Sequence, residues 1–147
     1  MKIHILSLLV LSILGLGAIN AVQQSTKSLP PKEFKLKLER LHGILVDVRT
    51  PEEYLCAHIP GAININLNGA NFEMRIGRLD KSRNYFLYCG TGVRSLAGME
   101  VMKKKGFSKL FDLDGGLTNW EKYDLPMDGS TTTCSLLISV PESALIN

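Results

Sequence analysis

Short apolar runs, spaced apart by amphipathic stretches, set the rhythm of this chain. Ile44-Leu45-Val46-Asp47-Val48 is β-branched and almost wholly apolar, and Tyr85 to Tyr88 and Lys109-Leu110-Phe111-Asp112-Leu113 have the same character. Such runs suit strands buried on both faces of a parallel sheet. Ala62-Ile63-Asn64-Ile65 alternates and predicts another short strand. Between these runs the period changes. Phe34, Leu38 and Leu41 fall at helical spacing and predict a short amphipathic helix over Lys32 to Leu41, closed by Gly43. Thr50-Pro51-Glu52-Glu53 opens the next helix, with Thr50 as N-cap, Pro51 at the first position and Glu53 completing a capping box. That helix carries Tyr54 and Leu55 and stops before Ile59-Pro60-Gly61. A weak helix is predicted over Ala70 to Ile76. A longer one runs from Arg94 to Lys105, with Leu96, Met99 and Met102 on one face and Gly106 at its end. Gly115-Gly116 turns into a last short helix, Leu117 to Tyr123. Strands alternating with helices predict an α/β fold with a small, mostly parallel central sheet flanked by helices in three layers. Ligands of such sheets bind beyond the carboxyl ends of the strands.

The ends of the chain read differently. Lys2 supplies a short positive region, Ile5 to Gly17 an apolar one, and Ala18-Ile19-Asn20-Ala21 small residues for cleavage. Residues 1–21 are therefore expected to be a signal peptide, with the mature protein exported, in a periplasm, and starting near Val22. The apolar stretch is too short for a comfortable membrane span. Residues 22–31 are polar, end in Pro30-Pro31 and predict a linker, which leaves 32–126 as the domain. The tail, 127–147, passes from small and polar residues to an apolar stretch, Leu136 to Val140, and carries no assignment. Losing residues 1–21 removes Lys2 and no acid, so 16 basic side chains face 14 acidic ones. That balance argues against nucleic acid or an anionic membrane as a partner. Lys103-Lys104-Lys105 and Lys81-Ser82-Arg83 read as solvated element ends. The three cysteines are Cys56, Cys89 and Cys134. An odd number leaves a thiol unpaired within a monomer. No CxxC and no His/Cys cluster supports zinc.

The candidate chemistry is at Tyr88-Cys89-Gly90-Thr91-Gly92-Val93-Arg94-Ser95. A cysteine ends a strand, a Gly-rich turn follows, and a helix begins. Backbone N–H groups of Gly90 through Ser95 can curl toward the sulfur, and the helix start adds partial positive charge. Both favour the thiolate, which is the nucleophilic form. Arg94 is placed to attract an anionic donor.

Four motifs occur in order: Asp47-Val48-Arg49-Thr50-Pro51-Glu52-Glu53-Tyr54, His58-Ile59-Pro60-Gly61-Ala62, the Cys89 loop, and Gly115-Gly116-Leu117 with Trp120. Over roughly residues 32–126 the chain resembles a single-domain rhodanese, a sulfurtransferase domain. The resemblance implies that Cys89 takes a sulfane sulfur from a donor such as thiosulfate. It then passes that sulfur from a persulfide to cyanide or a thiol, a ping-pong case of covalent catalysis. It implies Gly90, Thr91, Gly92, Val93, Arg94 and Ser95 as the binding loop, no metal, no organic cofactor, and a possible protein acceptor. Asp47, Arg49, His58 and Trp120 are expected to be structural, and Cys56 a buried or partly buried structural thiol.

Family loops often carry a basic residue directly after the cysteine; here Gly90 stands there, which removes one anion contact. Two other readings stay open. A cysteine phosphatase or arsenate reductase on the same scaffold needs arginine six positions after the cysteine, where this chain has Ser95. A non-enzymatic or sulfur-relay module would bind a protein partner.

Overall fold

The computed structural model describes residues 25–129 together with Cys134. The expected signal segment 1–21 and most of the tail lie outside the described residues. A five-stranded sheet forms the middle layer. Its strands are β1 (Ser25–Leu29), β2 (Ile44–Asp47), β3 (Ile63–Asn64), β4 (Tyr85–Tyr88) and β5 (Lys109–Leu113). They lie in the order β1-β5-β4-β2-β3, and every pairing is parallel. The helices are α1 (Pro31–Arg40), α2 (Pro51–Cys56), α3 (Phe72–Gly77), α4 (Val93–Lys104) and α5 (Gly116–Glu121).

The apolar runs form the central strands because both of their faces are covered. On β4, Tyr85, Leu87 and the following Cys89 face one way, toward Phe72 and Ile76 of α3 and Met99 and Met102 of α4. Phe86 and Tyr88 face the other way, toward Phe34 of α1 and Leu117 and Trp120 of α5. Phe86 stacks on Phe111 at 4.6 Å between ring centroids and meets Phe34 edge-on at 5.2 Å. Strand β5 alternates likewise, with Leu110 in the first layer and Phe111 and Leu113 in the second. The capping box of α2 forms as its residues predict: Thr50 Oγ1 accepts from the Glu53 N–H and Glu53 accepts from the Thr50 N–H.

Four local expectations need correction. Residues 25–29, placed in the linker 22–31, form β1, which pairs along β5 from Ser25↔Lys109 to Leu29↔Leu113. Backbone hydrogen bonds make this edge strand; Leu29 enters the core while Lys27 and Ser28 are exposed, so its polar sequence carries no strand pattern. Leu96 is exposed, whereas Ser95, Gly98, Met99 and Met102 make the buried face of α4. The small residues Ser95 and Gly98 occupy positions against the sheet that an apolar count passes over. At the end of α1 the left-handed residue is His42 (φ +45°), not Gly43. Gly43 instead packs against Phe86, where a Cβ would sit 2.4 Å from the ring. Cys56 is bridged to Cys134 in a disulfide rather than remaining a thiol, and Cys89 is the free cysteine.

Candidate active site

Parallel strands all end on one side of the sheet, so the segments after β2, β4 and β5 gather there. Cys89 is the first residue beyond β4, and its side chain is buried. The Gly92 N–H donates to Cys89 Sγ at 3.1 Å. Gly92 has φ +96°, a conformation that a Cβ makes costly, and this turn directs its amide back to the sulfur. Helix α4 starts at the next residue, so the positive end of a 12-residue helix lies beside Sγ. Ser95, one turn into α4 and fully buried, places Oγ 3.8 Å from Sγ. Of the loop residues Gly90 to Ser95, the Gly92 amide and the Ser95 hydroxyl approach the sulfur most directly, and the Arg94 guanidinium also lies within reach of it. Thr91 and Val93 are exposed, and Gly90 is partly buried.

The loop is held from below by the turn after β5. Gly116 has φ +60°, and a Cβ there would lie 2.5 Å from the Cys89 carbonyl oxygen and 2.7 Å from the Gly90 carbonyl carbon. Such close approach lets the Leu117 N–H donate to the Cys89 carbonyl at 2.8 Å and the Thr118 N–H to the Gly90 carbonyl at 3.0 Å. The cysteine backbone is thus tied to α5 while its side chain faces α4.

Arg94 does not stand as a lone cation. Its two terminal nitrogens donate to the two Glu53 carboxylate oxygens, each at 2.7 Å. This bidentate pair holds the Glu53 carboxyl at about 2, well below its ordinary value, chiefly through the hydrogen bonds from Arg94. The same bonds raise Arg94, with Cys89 a smaller contribution. Glu53 therefore serves twice, as the third member of the α2 capping box and as the counter-ion of the loop arginine.

The remaining motif residues brace the strand ends. Buried Arg49 donates through Nη2 to Asp47 Oδ2 at 2.6 Å and to the Ala57 carbonyl at 2.5 Å, joining β2 to the end of α2. Nδ1 of His58 lies 2.8 Å from the Tyr54 carbonyl, and its ring stacks on Tyr54. Trp120 is buried and donates to the Pro126 carbonyl at 3.0 Å. An apolar hollow of about 330 Å³, lined by Leu38, Ile59, Pro60, Trp120 and Pro126 among others, takes no residue from the Cys89 loop.

Three contributors escaped sequence reasoning: the Glu53 pairing with Arg94, the close approach of Gly116, and a buried carboxyl, Asp112, bonded to Ser95 at 2.6 Å. An acid inside the apolar run 109–113 was the visible signal for the last of these. Partners 41 and 17 residues apart leave no local spacing to read.

Residues 30–123 match the rhodanese-like domain family. The chain belongs to that family. Among relatives, the probable adenylyltransferase/sulfurtransferase MoeZ of Mycobacterium tuberculosis is 36% identical over 114 residues, 76% of this chain and 29% of that protein. A sulfurtransferase of Allochromatium vinosum is 30% identical across 57% of this chain and 77% of its own length. The putative sulfur carrier protein YrkF of Bacillus subtilis is 35% identical across 59% of this chain and 46% of its own length. The chain thus spans less than half of the mycobacterial and Bacillus proteins. A rhodanese-like domain protein from Staphylococcus aureus superposes with a TM-score of 0.57 at 32% identity, covering 64% of this chain and 90% of the other. A rhodanese-related protein from Thermoplasma volcanium gives 0.61 at 24% identity over 71% and 99%, a likeness of fold. The three-layer α/β architecture is that of the rhodanese-like domain, with the cysteine loop at the end of its central strand.

Proposed function

We propose that this rhodanese-like domain is a sulfurtransferase that carries sulfane sulfur on Cys89. The carrying observation is the Gly92 N–H held 3.1 Å from Cys89 Sγ at the start of α4. An amide and a helix start both act on the charged form of the sulfur. With thiosulfate as donor, the Cys89 thiolate attacks the outer sulfur. The S–S bond of the donor breaks, sulfite departs with the bonding pair, and a persulfide remains on Cys89. Cyanide or a thiol then attacks the outer sulfur, and the thiolate is regenerated. Each step is a displacement at sulfur and needs no base beyond the one that first ionises the thiol.

Engagement of Arg94 by Glu53 supports this reading over oxyanion hydrolysis, because both terminal nitrogens of the guanidinium are already committed to a carboxylate. Exposed Val93 and Leu96 at the start of α4 favour a protein or thiol acceptor docking beside the loop as a second reading of the acceptor step. Intact mass after thiosulfate treatment tests the proposal. The chain gains one sulfur atom, folded Cys89→Ser gains none, and Cys56→Ser still gains it. A folded Cys89→Ser protein that still loads sulfur would refute it.

Export to an oxidising compartment belongs to the same proposal. It is supported by the n-region and h-region of residues 1–21 and by the Cys56–Cys134 disulfide, a bond that persists mainly in such compartments.

A further inference from the structure

Asp112 is a buried acid that the sulfur-transfer steps above leave unused. It lies on β5 on the same face as Leu110, and its side chain is 1% exposed. Its carboxyl accepts two hydroxyl hydrogen bonds, from Ser95 at 2.6 Å and from Ser28 of β1 at 2.8 Å. Among the described residues it has no cationic partner. Ser95 connects this carboxyl to the sulfur. Its Oγ lies 2.6 Å from Asp112 Oδ1, 2.9 Å from the Gly92 carbonyl and 3.8 Å from Cys89 Sγ.

A hydroxyl has one proton and two lone pairs. Beside an ionised Asp112, Ser95 gives that proton to the carboxylate, its shortest contact, and turns a lone pair to the sulfur. It then accepts from a Cys89 thiol and cannot donate to a thiolate. Beside a protonated Asp112 the polarity reverses: the carboxyl donates to Ser95, and the freed hydroxyl donates to a thiolate. The two arrangements differ by a concerted proton shift.

We propose that Asp112 is a positioning residue that takes up the proton of Cys89 through the Ser95 hydroxyl. This rests on the reading of Cys89 as the sulfur nucleophile. In the step, the Cys89 S–H bond breaks as an O–H bond forms on Ser95. The former Ser95 O–H bond breaks as one forms on Asp112 Oδ1, and the electron pair stays on sulfur. The cluster carries one negative charge before and after, so no second charge enters the buried layer, where it would be costly. No oxidant or reductant takes part.

The surroundings fit a carboxyl able to hold a proton. Burial raises Asp112 above the ordinary carboxylate range, nearby Asp114 adds to the rise, and the hydroxyls of Ser95 and Ser28 oppose it. Groups facing the cluster from the packed elements are few. Strand β4 offers Leu87, Cys89 and, further along, Tyr85, whose hydroxyl donates to the Asp80 carbonyl; α4 offers Ser95 and the Glu53-paired Arg94, and β1 offers Ser28 beside Lys27, which pairs with Glu33. Helices α1 and α5 pack on the opposite face of the sheet.

A pH series separates a proton carrier from a mere brace between β1 and α4. The rate of single-turnover sulfur loading from thiosulfate, read by intact mass, is followed from about pH 5.5 to about pH 8.5 in the full chain. In the unaltered protein the internal shift is pH-independent while the cluster holds a single charge, so the rate is flat across the middle of that range. In Asp112→Asn the thiol must lose its proton to solvent, so the rate climbs about tenfold per pH unit until the thiol is ionised. Ser95→Ala, which cuts the relay and leaves the acid, climbs in the same way and carries the test alone should Asp112→Asn fail to fold. Parallel profiles in all three proteins overturn the proposal, whatever the absolute rates. If the unaltered protein takes up no sulfur, the sulfurtransferase reading fails, and the same series with iodoacetamide still reports whether Cys89 ionises through Asp112.

Discussion

Gly116→Ala probes the contact that holds the cysteine loop in place. Two costs add at this position. The residue has φ +60°, and giving a side chain to a left-handed residue costs about 1 kcal/mol. The new Cβ would also stand 2.5 Å from the Cys89 carbonyl oxygen and 2.7 Å from both the carbon and the oxygen of the Gly90 carbonyl. These are backbone atoms, so no rotamer change relieves the overlap. Reaching ordinary contact requires the turn and the loop to separate by close to an ångström, an overpacking cost of about 1–3 kcal/mol. The same displacement stretches the hydrogen bonds from Leu117 and Thr118 to the Cys89 and Gly90 carbonyls. Gly61 is the control: it has φ +78° with nothing within 4 Å of its Cβ position, so Gly61→Ala isolates the backbone cost. Urea denaturation is expected to show a loss of about 1 kcal/mol for Gly61→Ala and about 2–4 kcal/mol for Gly116→Ala. Sulfur loading should fall at least tenfold in Gly116→Ala and stay unchanged in Gly61→Ala. Equal stability losses with equal loading rates would show that the turn does not hold the loop.

Glu53→Gln keeps the capping box, because glutamine also accepts from the N-cap amide, but it removes the charge opposite Arg94. The folded Glu53 carboxyl sits at about 2, below its ordinary 4.5, so the pair stabilises the fold above about pH 4.5 and the gain is lost as the pH falls toward 2. Both side chains are about a third exposed, and solvent screening leaves about 0.5–1 kcal/mol of that gain at neutral pH. Denaturation midpoints of the two proteins should differ at pH 7 and converge near pH 2; a gap independent of pH would refute the assignment. For export, N-terminal sequencing of protein from its native compartment should begin near Val22, and an intact Met1 in a soluble cytoplasmic fraction would overturn that proposal.

Much of the fold was legible because its causes are local. The capping box at Thr50 and Glu53 needs residues three apart, and it forms. The apolar runs at 44–48, 85–88 and 109–113 can be buried on both faces only inside a parallel sheet, and they lie next to one another in it. The position of Cys89 at a strand end before a Gly-rich turn was readable for the same reason. What could not be read depends on which strand ends meet. Parallel connections return the chain to one side of the sheet, and so bring Glu53 to Arg94, Asp112 to Ser95, and Gly116 beneath Cys89. Strand β1 was missed because its partner's backbone supplies what its own polar residues do not. The sequence by itself determined most of the elements, the family and the cysteine at the end of the central strand. Only the tertiary structure decided that the loop arginine has a counter-ion and that Cys89 has a buried acid within one hydroxyl of its sulfur, because both are contacts across the sheet ends and leave no periodic trace in the chain.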